Sequence, residues 1–304
     1  MCFGHDESDC RASGPASGAG LPQTGPSEAS VYGRLEGFPT EATDFGSSTT
    51  VLQGWSPNRV DCFIRHVACG RTFAVAPRPD RETILIVERG CCDLSHQGTV
   101  TRLEELAALR AGPSVSVKLQ ATDDLRLLEV SMSSTSTPES RRGILEVTHR
   151  REDGWKLYEY EALGQEVFTP AYEGGIGLLR FIFPQDEIPV HVHPKSGRII
   201  RPISGRGYTY MHPDRCPMDE HTIAAFDANV VHTNGPLAGN NYQLWALQLP
   251  WVTSGIDTLN IAGHEDFVRY VKDVPTPDRY KTQADLWRRV QAQAANEGHH
   301  PFGR

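Results

Sequence analysis

The sequence has no Cys-x-x-Cys pair, no apolar run near the roughly 18 residues a membrane span needs, and no surplus of positive charge. Each absence excludes a class of protein. Seven cysteines, an odd number, with Cys91 and Cys92 adjacent and Cys2 and Cys10 near the start, do not make a disulfide framework in a 304-residue chain, so reduced thiols are expected. Thirty Lys and Arg against 38 Asp and Glu leave a net charge of -8, with a pI near 5.8. That balance cannot neutralise a phosphate backbone, which excludes a general nucleic-acid binder and favours a small-molecule partner. The opening MCFGHDESDC has neither the basic start nor the apolar stretch of a secretory signal. A soluble, cytoplasmic protein without a membrane partner is the expectation.

Large apolar side chains are also scarce over residues 1–30, which hold five Gly, five Ser, four Ala and three Pro. Such a segment buries too little surface to offset its ordering entropy, and a disordered tail is expected over 1–45. Beyond it come short apolar runs cut by turn residues: VDCFIRHVA, TFAVA, TILIVE, SVSVKL and LRLLEVSM. Each has the length and Val/Ile/Leu content of a strand. These define a β module over 46–135, followed by a polar linker at 136–144 broken by Pro138 and Gly143. A second module over 145–255 runs through GLLRFIFP, IPVHVH, RIIRPI, GYTYM and YQLWALQLPW. Helical spacing is confined to 256–304, where Leu286 and Val290 stand at i, i+4 and Gly298 offers a stop.

The two modules resemble each other. ILIVERG ending at Gly90 aligns with IRPISGRG around Gly205, LRAG ending at Gly112 with FDAN ending at Asn229, and LRLLEVSM with YQLWALQL. Short strands repeated at this spacing suggest a duplicated all-β fold, and tandem jelly-roll barrels are the predicted architecture.

The sharpest chemical signal is His191-Val192-His193. On a strand, residues i and i+2 project to one side, which suits two ligands of one metal. His232 follows after the turn-like Asp227-Ala228-Asn229, and three converging imidazoles would make a facial site with open positions. Tyr208 and Tyr210 share one strand face, as do Gln243 and Trp245; these four read either as core or as substrate wall.

The spacing of His191, His193, Gly205, Asn229 and His232 resembles the two motifs of the cupin superfamily, and with the repeat the likeness extends over residues 49–252. Asn229 replaces a turn glycine, which is tolerable because Asn enters the left-handed region. Gln185 replaces the first motif's opening glycine, Asp227 replaces a proline, and Arg198 stands where the family usually has a glutamate ligand. The same offsets in the first module give Ala76, Arg78, Thr83 and about Val115, so the resemblance implies a degenerate first barrel and one metal per chain in the second.

Arg198 shapes the expected chemistry. A guanidinium about 6 Å from a divalent ion, at an effective dielectric near 20, is repelled by on the order of 5 kcal/mol. Either Arg198 points to solvent at the barrel mouth, or an anion lies between it and the metal, with Arg198 as catalytic and substrate-binding residue. Arg201, one alternation away, is expected on the surface. The resemblance to cupin dioxygenases implies iron(II), with zinc, manganese and nickel as alternatives, and O2 beside a small carboxylate or phosphate substrate. The resemblance to the two-barrel 5-deoxyglucuronate isomerases implies an isomerase or lyase instead, and non-enzymatic ligand-binding cupins form a third class. A homodimer is the expected partner arrangement.

Overall fold

The computed structural model describes residues 30–55, 58–133, 137–150, 154–157, 163–183, 191–211, 214–237, 240–252 and 259–260. Strands in the first half are β1 (Ser30–Arg34), β2 (Thr40–Thr43), β3 (Gly46–Trp55), β4 (Val60–Val67), β5 (Thr72–Val75), β6 (Arg81–Arg89), β7 (Cys92–His96), β8 (Thr99–Leu103), β9 (Ala108–Ala111), β10 (Val117–Ala121) and β11 (Leu125–Ser133). One helical turn, α1 (Glu139–Arg142), precedes β12 (Leu145–Thr148), β13 (Trp155–Leu157), β14 (Leu163–Phe168), β15 (Gly177–Phe183) and β16 (His191–Val192). The chain continues through β17 (Gly197–Ser204), β18 (Gly207–Met211), β19 (Asp214–Met218), β20 (Thr222–Phe226), β21 (His232–Pro236), β22 (Tyr242–Leu249) and β23 (Leu259–Asn260).

The strands form two jelly-roll barrels, each a seven-stranded sheet facing a smaller one. The first pairs β12-β9-β6-β11-β4-β3-β2 with β5-β10-β7-β8; the second pairs β1-β20-β17-β22-β15-β14-β13 with β19-β18-β21-β16-β23. The all-β, tandem-barrel expectation holds. The helical extension expected over 256–304 lies outside the described residues, apart from Leu259–Asn260, which form a strand.

The central strands of the large sheets are buried on both faces, which is why they read as unbroken apolar runs. On β6, Leu85 and Val87 enter the first barrel's interior with Leu94 and Leu119, whereas Ile84 and Ile86 face the other way. That second face meets Ile199, Ile223, Trp245 and Leu247 of the second barrel in one shared core. Ile200, Leu244 and Ala246 turn into the second barrel, beside Met211 and Phe226.

The repeat is visible in the backbone. Gly90 and Gly205 have φ of +78° and +76°, and a Cβ at either would collide with the carbonyl of Asp124 or Asn241. Both constraints demand glycine. Thr83 pairs with Ala111 as Arg198 pairs with Phe226, and these positions, like the two glycines, stand 115 residues apart. Gly112 therefore corresponds to Asp227, two residues from the Asn229 that the sequence alignment chose. Asn229 itself is left-handed, at φ +69°.

The barrels exchange edge strands. Ser30–Arg34, which composition assigned to the tail, pairs antiparallel with β20 of the second barrel, and Tyr32 Oη donates to the Pro217 carbonyl at 2.6 Å. Reciprocally, Leu145–Thr148, expected to begin the second barrel, pairs with β9 of the first. The tail boundary at residue 45 is likewise corrected by β2, which pairs with β3. The backbone N–H groups of Gly112 and Ser114 reach carbonyls of Ile144 and Arg142, tying the expected linker to the first barrel.

Arg201 departs most from expectation. It is fully buried, and its Nε and Nη2 donate to the Glu88 carboxylate across the barrel interface at 2.6 and 2.9 Å. Its Nη1 donates to the carbonyls of Glu220 and Thr222, while Arg126 also pairs with Glu88. At the other end of the same β6 face, Glu82 accepts from Tyr172 Oη at 2.5 Å and from the Ile176 N–H at 3.2 Å. Two buried carboxylates thus flank Ile84 and Ile86 and fix how the barrels meet.

Removing one partner of a buried pair leaves an uncompensated charge, so Arg201→Ala or Glu88→Ala is expected to cost about 3–5 kcal/mol in urea unfolding. The paired change Glu88→Leu with Arg201→Met should cost less than either single one; single losses under about 1 kcal/mol would show a solvated bridge. Truncation through Arg34 should lower the melting temperature by several degrees relative to truncation through Ala29, because only the former strips β20 of its edge partner.

Candidate metal centre

The interior of the second barrel carries two facing rows of side chains. Residues directly opposite in an antiparallel ladder share a face. On the large sheet Gln248, Arg198 and Phe226 form one row across β22, β17 and β20; on the small sheet His191, His232 and Met211 form another across β16, β21 and β18. His193 follows β16 directly. Its carbonyl accepts from the Asn229 N–H at 2.9 Å, so the left-handed turn before β21 is pinned to the histidine strand.

All three imidazoles are buried, and one ligand atom from each lies within 4.8 Å of the others. Ring centroids are 4.2 Å apart for His191 and His232, 4.9 Å for His191 and His193, and 5.0 Å for His193 and His232. Phe226 packs on His232 with centroids 4.1 Å apart. Burial, then the neighbouring His191 and Arg198, hold the His232 pKa well below the usual imidazole range, against a contact with the Val230 carbonyl that favours the charged form. Neutral imidazole is the form that can ligate a metal. His232 Nδ1 lies 2.8 Å from the Val230 carbonyl oxygen, an acceptor, so Nδ1 carries the hydrogen and Nε2 keeps its lone pair. The donor set fits a divalent ion of the first transition row, and among the described residues no carboxylate joins it.

Arg198 is buried inside the barrel, which settles its orientation in favour of the site. Nη1 donates to Ser196 Oγ at 2.5 Å and to the Gly197 carbonyl at 3.1 Å, and Nη2 lies 3.0 Å from His193 Nδ1. The expected substrate wall is differently placed. Tyr208 and Tyr210 sit opposite Gly235 and Thr233, on the outward face of the small sheet, whereas Thr209 and Met211 point inward. Arg215 covers the Tyr208 ring at 3.7 Å. Gln243 and Trp245 lie on the face of β22 away from the imidazoles: Gln243 accepts from Arg180, and Trp245 is part of the shared core. The structure therefore brings together His191, His193, His232 and Arg198, and leaves the other four outside. Ser196, Phe226 and Gln248 were not singled out from the sequence. Phe226 and Gln248 could have been found from the ladder positions opposite Arg198; a buried serine two residues before an arginine carries no recognisable signal.

In the first barrel, Val75 pairs with Val117 at the place where His191 pairs with His232. The sequence offsets had pointed to Ala76 and Val115; the second error is the two-residue slip inherited from Gly112. Thr83 does correspond to Arg198. Val75 and Val117 belong to an interior of Phe73, Leu85, Leu94 and Leu119, an apolar filling where the second barrel has imidazoles.

No family model and no curated protein sequence matches the chain. Solved structures do. A candidate glyoxylate-induced protein of Pseudomonas aeruginosa is similar at 14% identity, with 81% of this chain and 98% of that one covered and a TM-score of 0.63. The protein Ylba of E. coli follows at 13%, 75% and 93%, with a TM-score of 0.60. An oxalate decarboxylase of Lactobacillus farciminis, solved with formate, is similar at 7% identity over 80% and 94%, with a TM-score of 0.58. A cupin 2 conserved barrel protein of Leptotrichia buccalis also matches, at 12% identity over 66% and 88%, with a TM-score of 0.51. The likeness establishes the cupin fold.

Substituting His191, His193 or His232 by Ala is expected to lower metal content sharply, to a small fraction of one ion per chain by elemental analysis. Full retention in all three single variants would remove the trio as the ligand set.

Proposed function

We propose that this chain is a metal-dependent cupin enzyme, a non-haem iron(II) dioxygenase acting on a small carboxylate- or phosphate-bearing substrate. One observation carries the reading: a buried arginine replaces the acidic ligand beside three buried imidazoles. His191, His193 and His232 would hold the ion. Three neutral ligands leave its full positive charge in place, and iron(II), when bound, supplies a Lewis acid and a redox centre for oxygen activation.

The chain's own groups do the rest. Arg198 presents guanidinium N–H groups to the substrate anion, and Ser196 and the Gly197 carbonyl orient that guanidinium from behind. Phe226, Met211, Leu179 and Phe181 belong to the apolar interior of the second barrel, and a setting of low polarity strengthens each charge-assisted contact. Proton transfer between adjacent carbons, which an isomerase needs, requires a positioned base. None of the described carboxylates joins the trio, and Asp186 and Glu187, the nearest acids in sequence before the histidine strand, lie outside the described residues. Among the described residues the donor set favours oxygen chemistry over isomerisation. The similarity to an oxalate decarboxylase supports a second reading, a carbon–carbon lyase acting on a small carboxylic acid. Both readings place the same kind of anion on Arg198.

Protein reconstituted with iron under nitrogen and offered a panel of small mono- and dicarboxylates should be silent until oxygen is admitted, then consume one O2 per substrate at an oxygen electrode. Turnover under nitrogen, with carbon dioxide released, would replace the dioxygenase by the lyase.

A further inference from the structure

The row of side chains that faces the histidines extends to β15. Gly177 pairs with Gln248 on one side as Arg198 does on the other, so Gly177, Gln248, Arg198 and Phe226 stand abreast across β15, β22, β17 and β20. Directly opposed residues share a face. Leu178 points into the core between the barrels, which leaves the Gly177 position turned to the interior of the second barrel. A Cβ there would collide with the ring of Trp251, so an indole stands where that strand has no side chain. The Trp251 N–H donates to the Gly175 carbonyl at 2.6 Å and the Gly174 N–H to the Trp251 carbonyl at 3.0 Å, which holds the ring over the glycine. The row thus runs indole, amide, guanidinium, phenyl, and Arg198 is its one cation. Gln248 is 6% exposed, and its side-chain amide makes no hydrogen bond to a described residue. A buried amide without a partner is destabilising, and a ligand that supplies the partner recovers that loss.

Resting on the reading of Arg198 as the partner of the substrate anion, we propose that Gln248 contacts the substrate and selects monocarboxylates that carry a neutral hydrogen-bonding group. Arg198 and Gln248 lie on neighbouring strands, about 4.7–4.9 Å apart. A small molecule therefore bridges the two side chains. Its carboxylate goes to the guanidinium in a charge-assisted pair. Its other end meets an amide, which offers N–H donors and a carbonyl acceptor but no charge. A hydroxyl, carbonyl or amide is satisfied there. A second carboxylate would leave water with no cation in the row to meet it, and an alkyl group would leave the Gln248 amide unpaired. The Trp251 ring stands beyond Gln248, and Phe226 stands beyond Arg198 against His232, so the polar pair is enclosed between two aromatic rings. Charge fixes one end of the substrate and hydrogen-bonding capacity fixes the other.

The test is a calorimetric titration of the full-length protein, loaded with redox-inert Zn(II) and cleared of excess ion, with three probes of nearly equal size. Malonamate carries a neutral amide, malonate a second charge, and isovalerate neither. The wild type should bind malonamate about tenfold tighter than isovalerate, the factor expected of one buried hydrogen bond. Gln248→Leu should lose that factor for malonamate and keep its isovalerate affinity within about twofold, a selective loss that a merely structural role would not produce. Gln248→Lys should shift the preference toward malonate by about tenfold relative to the wild type, because the row then holds a second cation. Arg198→Met should lose all three probes. Unchanged malonamate affinity in Gln248→Leu, with every probe still lost in Arg198→Met, would overturn the role of Gln248 and leave Arg198 as the partner of the anion. Absence of binding of every probe to the wild type would overturn both. If Gln248→Leu fails to fold by circular dichroism, Gln248→Met, which keeps the shape of the side chain without its amide, takes its place.

Discussion

Burial of the central strands of the two large sheets on both faces is the constraint on which the rest of the structure depends. One face of each closes a barrel and the other meets its counterpart in a core built from Ile84, Ile86, Ile199, Trp245 and Leu247. From Gly197 to Pro202, a side chain on β17 therefore has two destinations, neither of them solvent. Arg198 goes into the barrel and Arg201 goes to the interface, so each needs a dedicated set of acceptors. Arg201 finds a carboxylate and two carbonyls; Arg198 finds a hydroxyl, a carbonyl and an imidazole. The same doubly covered strand thus yields a structural charge and a functional one, three residues apart.

Much of the candidate site was legible because its signals are local. His191 and His193 lie two residues apart, Asn229 adopts the left-handed turn its side chain permits, and Gly205 is required by a close backbone approach. What failed was the phase of strands buried on both sides. Where every position is apolar or buried, alternation shows that residues face opposite ways without showing which way is inward. Tyr208 and Tyr210, and Gln243 and Trp245, share a face in pairs as parity required, but parity left open whether that face was core or substrate wall, and Trp245 lies in the shared core. Arg201 failed differently: a charged residue in a strand reads as surface until its partner is known, and Glu88 is 113 residues away. The polar SVYGR of β1 and the LEVT of β12 are too short to announce that each completes the other barrel's sheet.

Electrostatics distinguishes this centre from a plain three-histidine site. Two of its imidazoles have a visible partner on Nδ1, and the partners have opposite character: the Val230 carbonyl accepts, the Arg198 guanidinium donates. The first leaves the Nε2 lone pair of His232 for a ligand bond.

The strand exchange also has a consequence for how the protein is made. Ser30 pairs with Phe226, so β1 meets its partner only after nearly 200 further residues are synthesised. At roughly 5–20 residues per second that interval is on the order of 10–40 s. Meanwhile the first barrel can take β12 as soon as residue 148 has emerged, which closes its sheet and leaves the short, polar β1 as the unpaired segment. The element that must wait longest is thus one of the least apolar strands in the fold, an order of assembly that keeps the nascent chain from offering a sticky edge to its neighbours.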